Sequence, residues 1–164
     1  MSYSSDARKP PPEPLVLNCS LSLEAGIASA PGLKIIASQS GDFRRATGKE
    51  VMEALLKKHG TEIQAVYAHN DDMAIGAIQA IEESGRKPGS EVVVVSIDGV
   101  RGAFESMVAG KLNCTVECNP LLGPLAYDAV EKAVAGEKLP RKTVVPDRVY
   151  EQSTARASIG SRQY

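Results

Sequence analysis

From Glu91 to Ile97 the chain reads EVVVVSI, and these four consecutive valines constrain its fold more than any other feature. β-branched side chains crowd a helix and suit a pleated strand. A strand with one wet face alternates apolar and polar residues. An unbroken apolar run is expected where both faces are covered, as in a parallel sheet flanked by helices. The rest of the chain repeats this theme. Leu33–Ala37, Gln64–Ala68 and Leu112–Glu117 read as further strands. Between them lie amphipathic stretches. Arg45–His59 places Val51, Met52, Leu55 and Leu56 on one face, and Asp71–Ser84 does the same with Ala74, Ile75, Ala77, Ile78 and Ile81. Val100–Ala109 and Leu121–Ala135 are two more helices, and Gly60, Gly85, Gly110 and Gly136 stand where the four helices should stop. Strand and helix recur about every 20 to 30 residues, the pattern of βαβ units. The expectation is an α/β domain: a parallel sheet with helices on both faces and right-handed crossovers.

The flanks are less regular. Met1–Pro14 is polar, holds four prolines and reads as a disordered lead-in. Leu15–Cys19 reads as a first strand and Leu21–Ala30 as a short helix weakened by Gly26. Thr143–Tyr150 reads as a last extended segment, with Pro146 placing it at an edge or in a connection. The domain is therefore expected over 15–150, with 151–164 as a polar, peripheral tail.

Composition removes several classes of function. The 164 residues carry 19 Lys plus Arg against 20 Asp plus Glu, so nothing favours nucleic acid or an anionic membrane as a partner. No apolar run approaches the roughly 18 residues needed to cross a bilayer. Met1–Pro14 lacks the charged and apolar regions of a secretory signal. Cys114 and Cys118 share one predicted strand, which puts their Cα atoms roughly 13 Å apart, whereas a disulfide needs less than about 7 Å. With Cys19 they make an odd set of three, read as plain thiols. His59 and His69 lack metal-ligand spacing, so neither a metal nor a cofactor is expected.

Ligands of a parallel sheet bind beyond the carboxyl ends of its strands. Gln39, Ser40, Asp42, Phe43 and Arg44 follow the first strand of the repeat, and His69, Asn70 and Asp71 follow the second. Asp98 and Gly99 follow the third, and Glu117, Cys118 and Asn119 end the fourth. Short amides and carboxylates therefore converge on one rim. Asn donates and accepts, and Asp accepts from two hydroxyls at once, which suits a polyol. Each residue also has a plainer reading: Asn70 and Asp71 as helix caps, Asp98 as a turn residue, Glu117 as a solvated or hinge-facing side chain, Phe43 as packing rather than a surface that stacks on a sugar ring. Catalysis finds little footing. The nucleophile elbow, the phosphate loop and the dinucleotide fingerprint are all missing from the sequence. Asp71 and Asp72 are adjacent, so on a helix they diverge by about 100° and make a poor acid/base pair. The chain does not read as an enzyme.

YAHNDDMAIGAIQAI at 67–81, SIDG at 96–99 and IIASQSGDFRRATGKEVMEALL at 35–56 resemble periplasmic sugar-binding proteins of ABC transporters, of the ribose and galactose type and most of all those for galactofuranose. The resemblance runs from about Gly32 to Pro140. It implies the C-terminal lobe of a type I periplasmic binding protein fold, in which two lobes close on a monosaccharide and the whole protein serves a membrane permease. It also implies that Asn70 and Asp98 contact sugar hydroxyls, with Glu117 or Asn119 near the place of a glutamine found in ribose-type relatives. The N-terminal lobe is missing on this reading, and no arginine stands in Leu15–Ala30 to match the one that grips the sugar in the family. Weak binding by the chain alone, a periplasmic location for the full-length protein, and a homodimer through the exposed interlobe face are the further expectations. NDDMAIGA also occurs in lactose-repressor-type regulators, whose effector-binding half is the alternative, although no DNA-binding headpiece precedes it here. A flavodoxin-like enzyme or receiver domain is the third reading.

Overall fold

The computed structural model describes residues 25–30 and 32–164. The chain divides into two compact units, residues 1–36 and 37–164. In the first, 25–28 form a helical turn tied by Ser29 Oγ donating to the Gly26 carbonyl at 2.8 Å. This is part of the helix expected over Leu21–Ala30. The lead-in 1–14, the strand expected over Leu15–Cys19 and Cys19 itself lie outside the described residues.

The second unit runs α1 Arg45–His59, β1 Ala65–Tyr67, α2 Asp71–Glu83, β2 Val93–Asp98, α3 Arg101–Val108, β3 Cys114–Glu117, α4 Gly123–Val134, β4 Val149–Glu151 and α5 Gln152–Ser158. The sheet order is β1-β2-β3-β4. β1, β2 and β3 are parallel neighbours, as the βαβ pattern requires, and β4 closes the edge antiparallel to β3. Leu33–Ala37, expected as a strand, forms no ladder. Its Leu33, Ile35 and Ile36 stay exposed. An apolar run becomes a strand only where a neighbour accepts its backbone hydrogen bonds.

Period-2 alternation divides the sheet into a packed and an open face. Val94, Ser96 and Thr115 are buried, and Tyr150 shares their face through its register with Thr115. Against this face pack Ala74, Ala77, Ile78 and Ile81 of α2, Ala103, Phe104 and Met107 of α3, and Ala155 of α5. Phe104 meets the Tyr150 ring edge-on at 4.8 Å. Each large side chain buried here contributes about 1.5–3 kcal/mol. On the other face Val93, Val116 and Val149 remain exposed and Val95 is half-buried, so among the described residues the valine run is covered more fully on one side than on the other. α4 buries none of its residues: Leu125, Tyr127, Val130 and Val134 all face solvent.

α1 packs tightly on α2, and two glycines set the distance. A Cβ on Gly76 would lie 2.1 Å from the Arg45 carbonyl oxygen, and one on Gly48 would lie 2.7 Å from the Met73 Cα. Only glycine permits that approach. The tail expected to be peripheral is not. Ala155 is fully buried, and the side chain of Arg162 is 6 % exposed. Segment 151–164 looks polar in sequence, but its polar groups meet polar partners inside the unit.

Candidate functional site

The rim is built where β1, β2 and β3 end. Asn70 is the N-cap of α2: its Oδ1 accepts from the Met73 amide at 2.9 Å, as the capping reading expects. Its Nδ2 donates to the Phe43 carbonyl at 3.2 Å, which ties the loop before α1 to the rim. Asp42 and Phe43 both have positive φ, 50° and 55°, and the Phe43 ring is 65 % exposed. Asn70 keeps a second amide hydrogen and a second acceptor lone pair for a ligand.

Asp98 ends β2 with φ of 119°, a region that residues bearing a Cβ rarely enter. Strain of this kind costs of order 1–3 kcal/mol and persists where surrounding contacts fix it. Here they do. The Asp98 carbonyl accepts from Cys118 N–H at 3.0 Å. Gly99 N–H donates to Thr115 Oγ1 at 3.2 Å, and Val100 N–H donates to Asp71 Oδ2 at 2.8 Å. Gly99 has φ of 77°, and a Cβ there would lie 3.1 Å from Arg162 Nη2. Partial burial, then the nearby Asp71 charge, push the Asp98 carboxyl up to about 6, while the Asp71 backbone N–H acts in the opposite sense.

Asp71 is wholly buried. It accepts from the Ser96 hydroxyl, from Thr115 Oγ1 at 2.8 Å and from Val100 N–H. Burial raises its pKa in spite of these three donors. Asp72, the other acidic residue in the first turn of α2, stays at the surface, paired with Arg45 at 2.7 Å.

Glu117 is neither solvated nor open to a hinge. It is 8 % exposed, and its Oε1 accepts from Arg162 Nη1 at 2.8 Å and from the Tyr164 hydroxyl at 2.7 Å. Burial alone would raise its pKa, but these two donors outweigh burial and hold the carboxyl below its ordinary value. The Tyr164 hydroxyl is pushed up to about 12 by burial and by its bond to Glu117. The Arg162 guanidinium lies over the rings of Phe104, Tyr150 and Tyr164 at 4.9, 5.1 and 4.4 Å. Its Nε and Nη2 have no hydrogen-bond acceptor, and the ring faces supply the attraction instead. Asn119 turns its Oδ1 onto the Leu121 amide at 2.8 Å, and its own amide donates to Asp147 at 3.2 Å.

All five candidates therefore sit at one edge of the sheet. Phe43 bonds to Asn70, Asn70 precedes Asp71, Asp71 reaches the Asp98 turn, and Asp98 is register partner of Glu117, two residues before Asn119. The sequence reading missed Ser96, Thr115 and Arg162, which support the rim from beneath. Ser96 and Thr115 interrupt apolar strands, a signal that was present. Arg162 lies 45 residues from Glu117, and no local pattern joins them. His69 stacks edge-on against Tyr67 at 5.2 Å. Among the described residues no cluster of His, Cys, Asp or Glu has the makings of a metal site, and Cys114 is half-buried while Cys118 is exposed.

A three-stranded parallel core with its polar rim on the carboxyl ends is an α/β domain of the kind that binds ligands beyond its strand ends. Residues 18–138 match the periplasmic binding protein domain family, and the chain belongs to it. It is 46 % identical over 140 residues to the galactofuranose-binding protein YtfQ of Escherichia coli, covering 84 % of this chain and 44 % of that one. It is 41 % identical over 115 residues to the ribose import binding protein RbsB of Bacillus subtilis, covering 70 % of this chain and 36 % of that one. The periplasmic binding component of an arabinose ABC transporter from Shewanella sp. ANA-3, solved with α- and β-L-arabinofuranose, superposes with a TM-score of 0.83 at 43 % identity, over 88 % of this chain and 48 % of that one. The chain thus spans about half the length, or less, of the relatives it matches.

Proposed function

We propose that this chain supplies one sugar-gripping lobe of the solute-binding component of a bacterial ABC importer. Its ligand is a monosaccharide, galactofuranose or a related sugar. The strained Asp98, half-buried at the carboxyl end of β2 as Asn70 is at that of β1, is the feature that supports the reading. Asp98 and Asn70 pair with ring hydroxyls, the exposed Phe43 ring offers a face for stacking, and Asn119 borders the rim. Glu117 serves as its anchor, held by Arg162 and Tyr164. The lobe takes in the segment 151–164, because Ala155 and Arg162 are built into it. In the full-length protein, the location is periplasmic and the partner is a membrane permease. The Bacillus subtilis relative is named as an import binding protein, which favours this reading over a regulator's effector domain.

Sugar affinity in a two-lobed protein comes from closure around the ligand. If one lobe supplies half of a micromolar binding energy of about 8 kcal/mol, the dissociation constant moves to the millimolar range. The rim that would face a second lobe is open for a second copy of the chain, so self-association through it belongs to the same proposal. NMR titration of the labelled chain with L-arabinose and D-ribose tests the sugar reading. Millimolar shifts centred on residues 69–71 and 98–99, lost in Asn70→Ala and Asp98→Ala, are expected. Shifts confined to other surfaces, or none at 50-fold excess over that range (roughly 4 kcal/mol of binding), would remove it.

A further inference from the structure

We propose that Asp71 is the positioning residue of this rim: its buried carboxylate gathers the ends of β2, β3 and the start of α3 beneath Asp98, and its charge acts on the carboxyl of Asp98. The consequence for ligands rests on the reading of Asp98 as a sugar contact.

The geometry points this way because Asp71 is spent on nothing else. α2 already has its cap in Asn70 and its surface charge in Asp72. Asp71 turns inward, away from the helix end it would otherwise cap. The donors that meet it are neutral: Ser96 on β2, Thr115 on β3 and the Val100 amide at the start of α3, with the Gly99 amide adding to them. Thr115 in turn accepts from Gly99 N–H. The peptide that follows Asp98 is therefore held from both sides through one carboxylate, and that hold keeps Asp98 at φ 119°. An amide at position 71 would present hydrogens to donors and lose at least one of these bonds. A buried carboxylate with no cation in contact also acts at short range on its neighbour, because little water screens it. The second-largest influence on the Asp98 carboxyl, after burial, is the Asp71 charge.

The other charges around the turn are accounted for. Asp72 is paired with Arg45 and exposed, Glu117 is paired with Arg162, and Arg101 at the start of α3 is paired with Glu105. Asp71 is thus the buried charge without a cationic partner at this turn. A hydroxyl-binding aspartate works best ionised, since it then accepts from two hydroxyls. Raising its pKa makes its grip depend on pH in the range just below neutral.

Carboxyl carbon NMR on the ligand-free chain follows Asp98 through a pH titration. Asp98 is expected to titrate near 6, and in Asp71→Asn to fall toward the ordinary value of about 3.9. Asp72→Asn is expected to move it far less. An Asp98 curve unmoved in folded Asp71→Asn overturns the proposal, and so does an equal effect from Asp72→Asn. If Asp71→Asn does not fold, the unaltered chain decides: a coupled pair gives Asp98 a second inflection as Asp71 titrates, and a single step, whether near 6 or at the ordinary value, overturns the proposal. With L-arabinose as the probe, binding by the unaltered chain should weaken as pH falls through 6, and in Asp71→Asn it should persist to lower pH. Titration as expected without any response to sugar would support the role of Asp71 and count against the sugar reading alone.

Discussion

Asp98 couples backbone strain to a carboxylate with raised pKa, and both weigh on stability. Glycine at this position removes the cost of a Cβ at φ 119°. Asp98→Gly is therefore expected to raise unfolding free energy by about 1–2 kcal/mol at pH 7, read from the urea midpoint at constant m. The sign of the pH dependence follows from the raised pKa. Between about 3.9, where an unfolded aspartate titrates, and about 6, the folded chain holds a proton that the unfolded chain has released. The stability contributed by this group is full below pH 4 and is lost as pH rises to 6. Asp98→Asn should flatten that part of the stability profile. Arg162 and Glu117 form the opposite case, a buried pair in mutual need. Arg162→Met leaves the Glu117 charge buried without its cation and is expected to cost about 3–5 kcal/mol. Adding Glu117→Met should recover most of that loss. Additive losses in the double variant would show that ring packing, rather than the ion pair, holds the segment.

At the scale of elements, α1 and α2 depend on the absence of a side chain. Alanine suits a helix better than glycine by about 1 kcal/mol, yet a Cβ at position 76 would meet backbone at 2.1 Å. Gly76→Ala is therefore expected to destabilise the unit by about 1–3 kcal/mol through overpacking. A gain in thermal midpoint would show that the two helices separate at little cost. The surface ion pairs Arg45–Asp72 and Lys49–Glu83 across the same contact are screened by water and add little. Helix placement was readable from periodicity and from glycine stops, and α1 to α4 fall within two residues of their expected ends. The failures have a common cause. Leu33–Ala37 has the apolar content of a strand but no ladder. The valine run has the content of a doubly covered strand but one face less fully covered. In both, local composition states what a segment can bury, while its neighbours decide what it does bury.

Over the whole molecule, the chain superposes on the arabinose-transporter binding component with a TM-score of 0.83 while spanning about half of that protein's length. On the proposed reading, in which a partner lobe covers the rim, the chain alone is expected to self-associate. Light scattering across a concentration series should show a mass rising above 17.4 kDa, reduced by Phe43→Ser at the exposed end of the rim. A mass that stays monomeric at millimolar chain would remove that expectation. By itself the sequence determined the α/β class, the order of the parallel units and the rim on which Asn70 and Asp98 lie, because period, caps and breakers are local properties of a chain. The tertiary structure alone decided that Asp71 lies beneath Asp98, that Glu117 is clamped by Arg162 and Tyr164, and that the apparent tail belongs to the core. Those contacts join residues 25 to 47 positions apart, and no local pattern records which distant partner a buried charge will meet.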